Sequence, residues 1–324
     1  MHLSVVHETH YTYAPAVDVA QHVACLQPLQ TPTQRLLAHT LEIDPPPLQR
    51  STRVDVFGNL RSYFSLQAPH AELRLVASSR VQTQAVPVEF ADPPWEQVQE
   101  QLRYRANGPY DPDGEFVFNS PCITRQAEFA DYARPSFTPG TGLHAGACAL
   151  MAHIHGQFRY DPQSTHVHTP AIEALARRQG VCQDFAHVMI ACLRSLGLAA
   201  RYVSGYLLTE APAGQPRLVG SDASHAWVSV LLPATQGPLR WCDFDPTNNR
   251  WGWGAPGPDY VVLAVGRDYA DVSPIRGVIH GGAHHQLSVA VTVAPVEETT
   301  PATAPGCAPQ DAPAIPPATP QAPT

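Results

Sequence analysis

Lysine is absent: every one of the 20 basic side chains is arginine, so the chain offers no side-chain amine. A coding bias toward Arg and Ala accounts for this by itself. Paired cysteines are also missing. The seven cysteines, Cys25, Cys122, Cys148, Cys182, Cys192, Cys242 and Cys307, are odd in number and form no C-x-x-C pair. That excludes a zinc ribbon and fits a reducing compartment better than a disulfide framework. The net charge of −8 comes without any cluster of basic residues, so no nucleic-acid partner is expected. No apolar run approaches the roughly 20 residues of a membrane span, and the N-terminus carries charge and aromatics where a secretory leader needs apolar residues. These absences predict a cytoplasmic protein with neither membrane nor nucleic-acid partner. They leave the oligomeric state open.

What is present is a globular composition, 44% hydrophobic over 324 residues, enough for two domains each with its own core. Residues 3–13 alternate polar with β-branched or aromatic side chains, and 40–43, 51–56, 60–66 and 73–81 read as further strands. Turn signals at 45–47 and Gly58-Asn59 separate them. Residues 1–85 are therefore expected to form an antiparallel β domain. Prolines break up 86–137, which reads as a connector. Residues 138–293 then alternate in type: helices near 145–157, 171–178 and from 182, followed by strands near 200–208, 225–232 and 239–244. That order predicts an α+β core with a sheet packed on the third helix. Residues 294–324 are mostly Ala, Pro, Thr and Gln, and this composition predicts a disordered tail.

The stretch Gly180-Val181-Cys182-Gln183-Asp184-Phe185-Ala186-His187 carries the chemistry. Apolar residues recur at helical spacing from Val181 to Leu196, and Gly197 supplies a stop, so Cys182 falls on the first turn of a buried helix. Unpaired backbone N–H groups and the positive end of the helix dipole favour a thiolate there. Cys192, between Ala191 and Leu193 in mid-helix, has no such advantage. A nucleophilic thiol needs a base, and the base needs a group that holds its tautomer. His225 opens one predicted strand and Asp245 closes the next, so an antiparallel hairpin places both at one end of the sheet, facing the helix start. Asp243 lies on the same strand face as Asp245, and spacing alone does not separate the two. Asp184, two residues into the helix, is assigned to complementing the dipole or bonding a nearby loop. His187 is expected to pack beneath the site.

The strings G-V-C-Q-D-F-A-H, R-Y-V-S-G-Y, S-H-A-W-V and D-F-D-P-T-N resemble the transglutaminase-like superfamily, in particular a bacterial group described as candidate cysteine proteases. The opening V-x-H-x-T-x-Y-x-Y and the later D-V-F-G-N resemble the β domain that precedes the core in this group, and G-R-D-Y-A-D-V-S-P-I-R-G-V resembles its closing segment. The resemblance implies a papain-like, transglutaminase-like α+β core with Cys182 as nucleophile, His225 as general base and Asp245 as orienting carboxylate. The D-P-T-N match selects Asp245 over Asp243. It further implies a peptide or protein substrate, a cysteine protease, amidase or transglutaminase-like activity, and no cofactor. Tyr160, upstream of the cysteine, is the residue it suggests as a second oxyanion donor, with Trp227 an orienting neighbour. The lack of lysine would spare a glutamine–lysine crosslinking enzyme from modifying itself. The alternative is a non-catalytic binding or assembly module whose site is vestigial.

Of the 16 histidines, His166 and His168 form H-x-H, and His280, His284 and His285 form a second group. Neither has a cysteine or paired carboxylate beside it, so no metal is expected.

Overall fold

The computed structural model describes residues 1–105, 111–209, 224–233, 240–282 and 284–296. Its N-terminal domain is built on one long strand, β1 (His2–Ala24). The strands β2 (Gln34–Asp44), β3 (Gln49–Val54), β4 (Leu60–Leu66) and β5 (His70–Thr83) follow it in an antiparallel sheet ordered β2-β5-β1-β4-β3. Because β1 has 23 residues, it serves two sets of neighbours. Residues 2–12 pair with β5, and residues 20–24 pair with β4. The β5 register breaks between Thr12 and Val17, around Pro15, which has no N–H to give a ladder. Alternation sets the buried face: Val17, Ala20, Phe64, Leu66, Leu73 and Leu75 form one apolar cluster.

Two short helices, α1 (Trp95–Leu102) and α2 (Ala127–Ala133), occupy the stretch expected to be only a connector. Pro94 is the N-cap of α1, where its missing N–H costs nothing, so the prolines bound helices here instead of forbidding them. The core continues through α3 (Leu143–Gln157), the two-residue β6 (Arg159–Tyr160), α4 (Ala171–Arg177), the two-residue β7 (Gln179–Gly180) and α5 (Cys182–Ser195). It then lays down β8 (Ala200–Leu207), β9 (Ser224–Leu231), β10 (Trp241–Asp245), β11 (Arg250–Trp253) and β12 (Tyr260–Gly266) as an antiparallel sheet ordered β11-β10-β9-β8-β12. A four-residue helix, α6 (Tyr269–Val272), follows. The architecture is thus an N-terminal antiparallel β domain joined to a mixed α/β core.

The helix α5 is buried on all sides from Gln183 to Arg194, because it lies between the sheet and the other helices. Ala226, Val228 and Val230 of β9 share its apolar cluster. The alternate residues Trp227 and Ser229 face the other way, toward Asp243. Arg194, with no exposed surface, ends the helix by donating to the carbonyls of Ala200, Phe118 and Arg267 and to the Ser120 hydroxyl, at 2.6 to 3.3 Å. Gly197 then takes φ +78°, a left-handed turn that a side chain would strain.

The last strands, β13 (Ile275–Gly281) and β14 (His284–Pro295), fall within the range expected for the core, yet they return to the first domain. Each pairs antiparallel with β1, β13 with residues 17–24 and β14 with residues 3–14. Only long-range pairing could show this, since the partners are more than 250 positions apart. Of the tail expected over 294–324, residues 294 and 295 belong to β14, and those beyond 296 lie outside the described residues. Among those described, no helix is long and apolar enough to cross a membrane.

Candidate active site

Cys182 is the first residue of α5, after Val181 as N-cap in extended conformation. The geometry of that junction depends on Asp184. Its Oδ2 accepts from the Val181 N–H at 2.8 Å and from the Thr165 hydroxyl at 2.6 Å, tying the helix start to the preceding loop. Burial pushes the Asp184 carboxyl up, and these two bonds oppose that rise. A β-carbon on Gly180 would lie 2.5 Å from the same Oδ2, so only glycine lets the carboxylate reach back. The Gly180 carbonyl accepts from Asp161 N–H at 2.9 Å, and β6 pairs parallel with β7. That pairing brings Tyr160 to the rim of the site, half-exposed, its ring 6.4 Å from Phe185. Its phenol is raised by burial and then by the nearby Cys182 and Asp184.

His225 and Asp245 come together as the hairpin argument requires, with His225 Nε2 at 2.7 Å from Asp245 Oδ2. Cys182 lies close enough to the same imidazole to raise it. Cysteine, histidine and aspartate are therefore brought together between the helix start and the sheet, with the histidine bonded to the aspartate. Burial works against a charged His225, but the bond to Asp245 and the nearby Cys182 outweigh it and push the imidazole up to about 10. Asp245 has no exposed surface and is saturated. Oδ2 also accepts from Tyr260 Oη and Asn248 Nδ2, each at 2.7 Å, and Oδ1 accepts from the backbone N–H groups of Thr247 and Asn248 at 2.9 and 3.2 Å. Burial would raise this carboxyl, but His225, Asn248 and Tyr260 hold it below its ordinary range.

The two aspartates differ in their contacts. Asp243 accepts from Trp227 Nε1 at 3.0 Å and from the Ser229 hydroxyl, so it holds the floor of the site and does not bond His225. Trp227 is wholly buried beneath the imidazole, ring centroids 6.1 Å apart. Its N–H is spent on Asp243 and faces no substrate. His187 lies deeper. It accepts from Tyr269 N–H at 3.2 Å, with its ring 5.1 Å from Tyr202, and burial keeps it neutral, lowered to about 4.

The local readings did not find Tyr260, Asn248 and Thr165. Asn248 stands inside the D-P-T-N string and could have been singled out there. Tyr260 has no local signal, since only the fold carries β12 to Asp245. His166 and His168 are exposed, and His280 faces Asp18 at 3.6 Å on the β domain, far from the thiol in the topology. Among the described residues no group of three or more His, Cys, Asp or Glu side chains is arranged to hold a metal ion.

Residues 3–82 match the Bacterial transglutaminase-like N-terminal region, and residues 130–246 match the Transglutaminase-like superfamily. An uncharacterized protein of Mycobacterium tuberculosis is 40% identical over 301 residues, covering 90% of this chain and 92% of the relative. A protein-glutamine gamma-glutamyltransferase of Pseudomonas aeruginosa is 36% identical over 112 residues, 32% of this chain and 16% of that one. The crystal structure of a candidate cysteine protease from Cytophaga hutchinsonii shares the fold, with a TM-score of 0.69 at 21% identity over 92% of this chain and 91% of that one. With both regions matched and that identity sustained over nearly the whole length, the chain belongs to the bacterial transglutaminase-like family.

Proposed function

We propose that this protein is a thiol-dependent acyl-transfer enzyme acting on peptide or carboxamide bonds, with Cys182 as nucleophile, His225 as acid–base and Asp245 as the carboxylate that holds His225. The observation that carries this reading is the 2.7 Å hydrogen bond between His225 and Asp245, with Cys182 beside the same imidazole at the start of α5. The sulfur attacks the carbonyl carbon, and the electron pair of the C=O moves to oxygen. His225 gives its proton to the departing amine, the C–N bond breaks, and a thioester remains on Cys182. Water or a second amine then loses a proton to His225 and attacks the thioester, which releases the thiolate and either an acid or a new amide.

The tetrahedral oxyanion requires donors that are already aimed. As the first helical residue, Cys182 has an N–H with no intrahelical acceptor, and it supplies one of them. Tyr160 is the second in this reading, supported by its place on the rim beside Cys182 and by a raised phenol that keeps its proton. The name of the Pseudomonas aeruginosa relative favours including an amine acceptor in the test.

Intact-mass profiling separates the products. Peptides and glutamine-bearing proteins are incubated with wild type and with Cys182→Ala, with and without an added primary amine. Cleavage, loss of ammonia and amine incorporation each give a different mass change, and each is expected to vanish in Cys182→Ala. If no wild-type-dependent change appears on any of these substrates, and Cys182 reacts with iodoacetamide no faster than the other cysteines, the site is vestigial and the protein a binding module.

A further inference from the structure

We infer that Tyr260 and Asn248 are positioning residues for the proposed reaction, fixing the Asp245 carboxylate that in turn holds His225. The inference rests on the acyl-transfer reading and goes beyond it, because neither residue touches the thiol.

A carboxylate held by one histidine can rotate about its χ2 axis and let the imidazole drift. Asp245 cannot do so. Three donors converge on Oδ2 at 2.7 Å, His225 Nε2, Asn248 Nδ2 and Tyr260 Oη, while two backbone N–H groups occupy Oδ1. A carboxylate offers about four acceptor positions, so this one has none left for a stray water.

Tyr260 is itself fixed from two sides. Its ring meets Trp227 edge-on at 5.4 Å, and the Arg250 guanidinium lies 4.9 Å from its centroid. Arg250 is held by two bonds to Asp259, at 2.6 and 2.7 Å. The phenol is pushed far up, by burial and then by Asp245, and so remains a donor. The sheet places Tyr260 on β12, at the opposite end of the strand order from β11, yet its hydroxyl reaches the carboxylate at the end of β10. This contact spans the face on which Trp227 lies. A hydroxyl that crosses the sheet to reach a saturated carboxylate is hard to explain by packing, for which phenylalanine would serve.

The charged and titratable groups around Asp245 are His225 on β9, Cys182 on α5 beside His225, Tyr260 on β12, Arg250 at the start of β11 with Asp259 just before β12, and Asp243 on its own strand. His155 on α3 approaches the adjoining turn through the Thr247 carbonyl, at 3.0 Å. Among the described residues, Asn248 and Tyr260 are the neutral donors that bond the carboxylate through their side chains.

The test is the pH dependence of Cys182 alkylation by iodoacetamide in the full chain, for wild type, Tyr260→Phe and Asn248→Ala. Removing a donor makes Asp245 easier to protonate, so the acid limb of the rate profile should move up, by about one pH unit for one hydrogen bond to a charged group. A role in packing alone would lower the plateau and leave both limbs in place. Asn248 sits at an exposed turn, so its variant decides the matter by the same shift if Tyr260→Phe does not fold. A reactive wild type with unmoved limbs in the folded variants overturns this inference alone. A wild-type Cys182 no faster than the other cysteines overturns the acyl-transfer reading and this inference with it.

Discussion

Gln34 of the β domain and Val262 of the core stand 228 positions apart and exchange two hydrogen bonds of 2.7 Å, a side-chain amide against a backbone N–H and C=O. Asn59 makes the same exchange with Val265 at 2.7 and 2.8 Å. β12 is an edge strand, and these two amides complete the side that no neighbouring strand covers. The β domain is thereby joined to the strand that carries Tyr260.

Gln34→Ala should leave a buried N–H at Val262 without a partner and weaken the acceptance at its carbonyl, at a cost of about 1–3 kcal/mol. Urea unfolding monitored by tryptophan fluorescence, with five tryptophans to report, measures it. An unchanged midpoint would mean that the amide contributes nothing to joining the domains.

Gly180→Ala should displace the Asp184 carboxylate, because the new β-carbon falls 2.5 Å from Oδ2. Losing that cap costs about 1 kcal/mol of stability and disturbs the backbone that presents Cys182. Alkylation of Cys182 is expected to slow by roughly tenfold, about the rate factor of 1.4 kcal/mol. Thr165→Val, which removes one of the two bonds to Asp184, should have a smaller effect of the same sign.

Asp245→Ala and Asp243→Ala should differ in kind. The first removes the partner of His225, and turnover should fall on the order of a hundredfold or more with the fold retained. The second leaves Trp227 Nε1 and the Ser229 hydroxyl buried without acceptors, so thermal stability should fall while residual turnover per folded molecule stays near wild type. The reverse pattern would transfer the orienting role to Asp243.

The pH dependence of stability follows from His225. Its pKa in the folded protein is raised from the ordinary 6.5 to about 10, so the folded state binds the proton more tightly than the unfolded chain. That contribution is fully present below 6.5 and is lost as pH rises through about 10. Asp245→Asn removes the largest interaction that raises the imidazole, and thermal midpoints followed across this window should fall less steeply in the variant. Equal slopes in the two proteins would show that the pair does not link folding to pH.

Much of the fold was legible locally because burial on one face leaves a periodic trace. The expected helix near 145–157 is α3, and the strand at 73–81 lies within β5. β1 was legible only as far as Tyr13, since Ala14, Pro15 and Ala16 interrupt the alternation while the strand continues to Ala24. β11 escaped notice because Arg250-Trp251-Gly252-Trp253 follows a turn directly and is only four residues long. α1 and α2 were hidden by flanking prolines that bound them.

The sequence by itself determined that a cysteine opens a buried helix, that a histidine and an aspartate stand at neighbouring strand ends, and that an antiparallel β domain comes first. Each follows from local spacing, which the chain carries within a dozen residues. The D-P-T-N resemblance pointed to Asp245 over Asp243, but only the tertiary structure set Asp245 against the imidazole, brought Tyr260 and Gln34 to their partners, and returned β13 and β14 to β1. Residues on one strand face are equivalent by spacing, and which partners reach them depends on how distant strands pack, which spacing along one strand does not record.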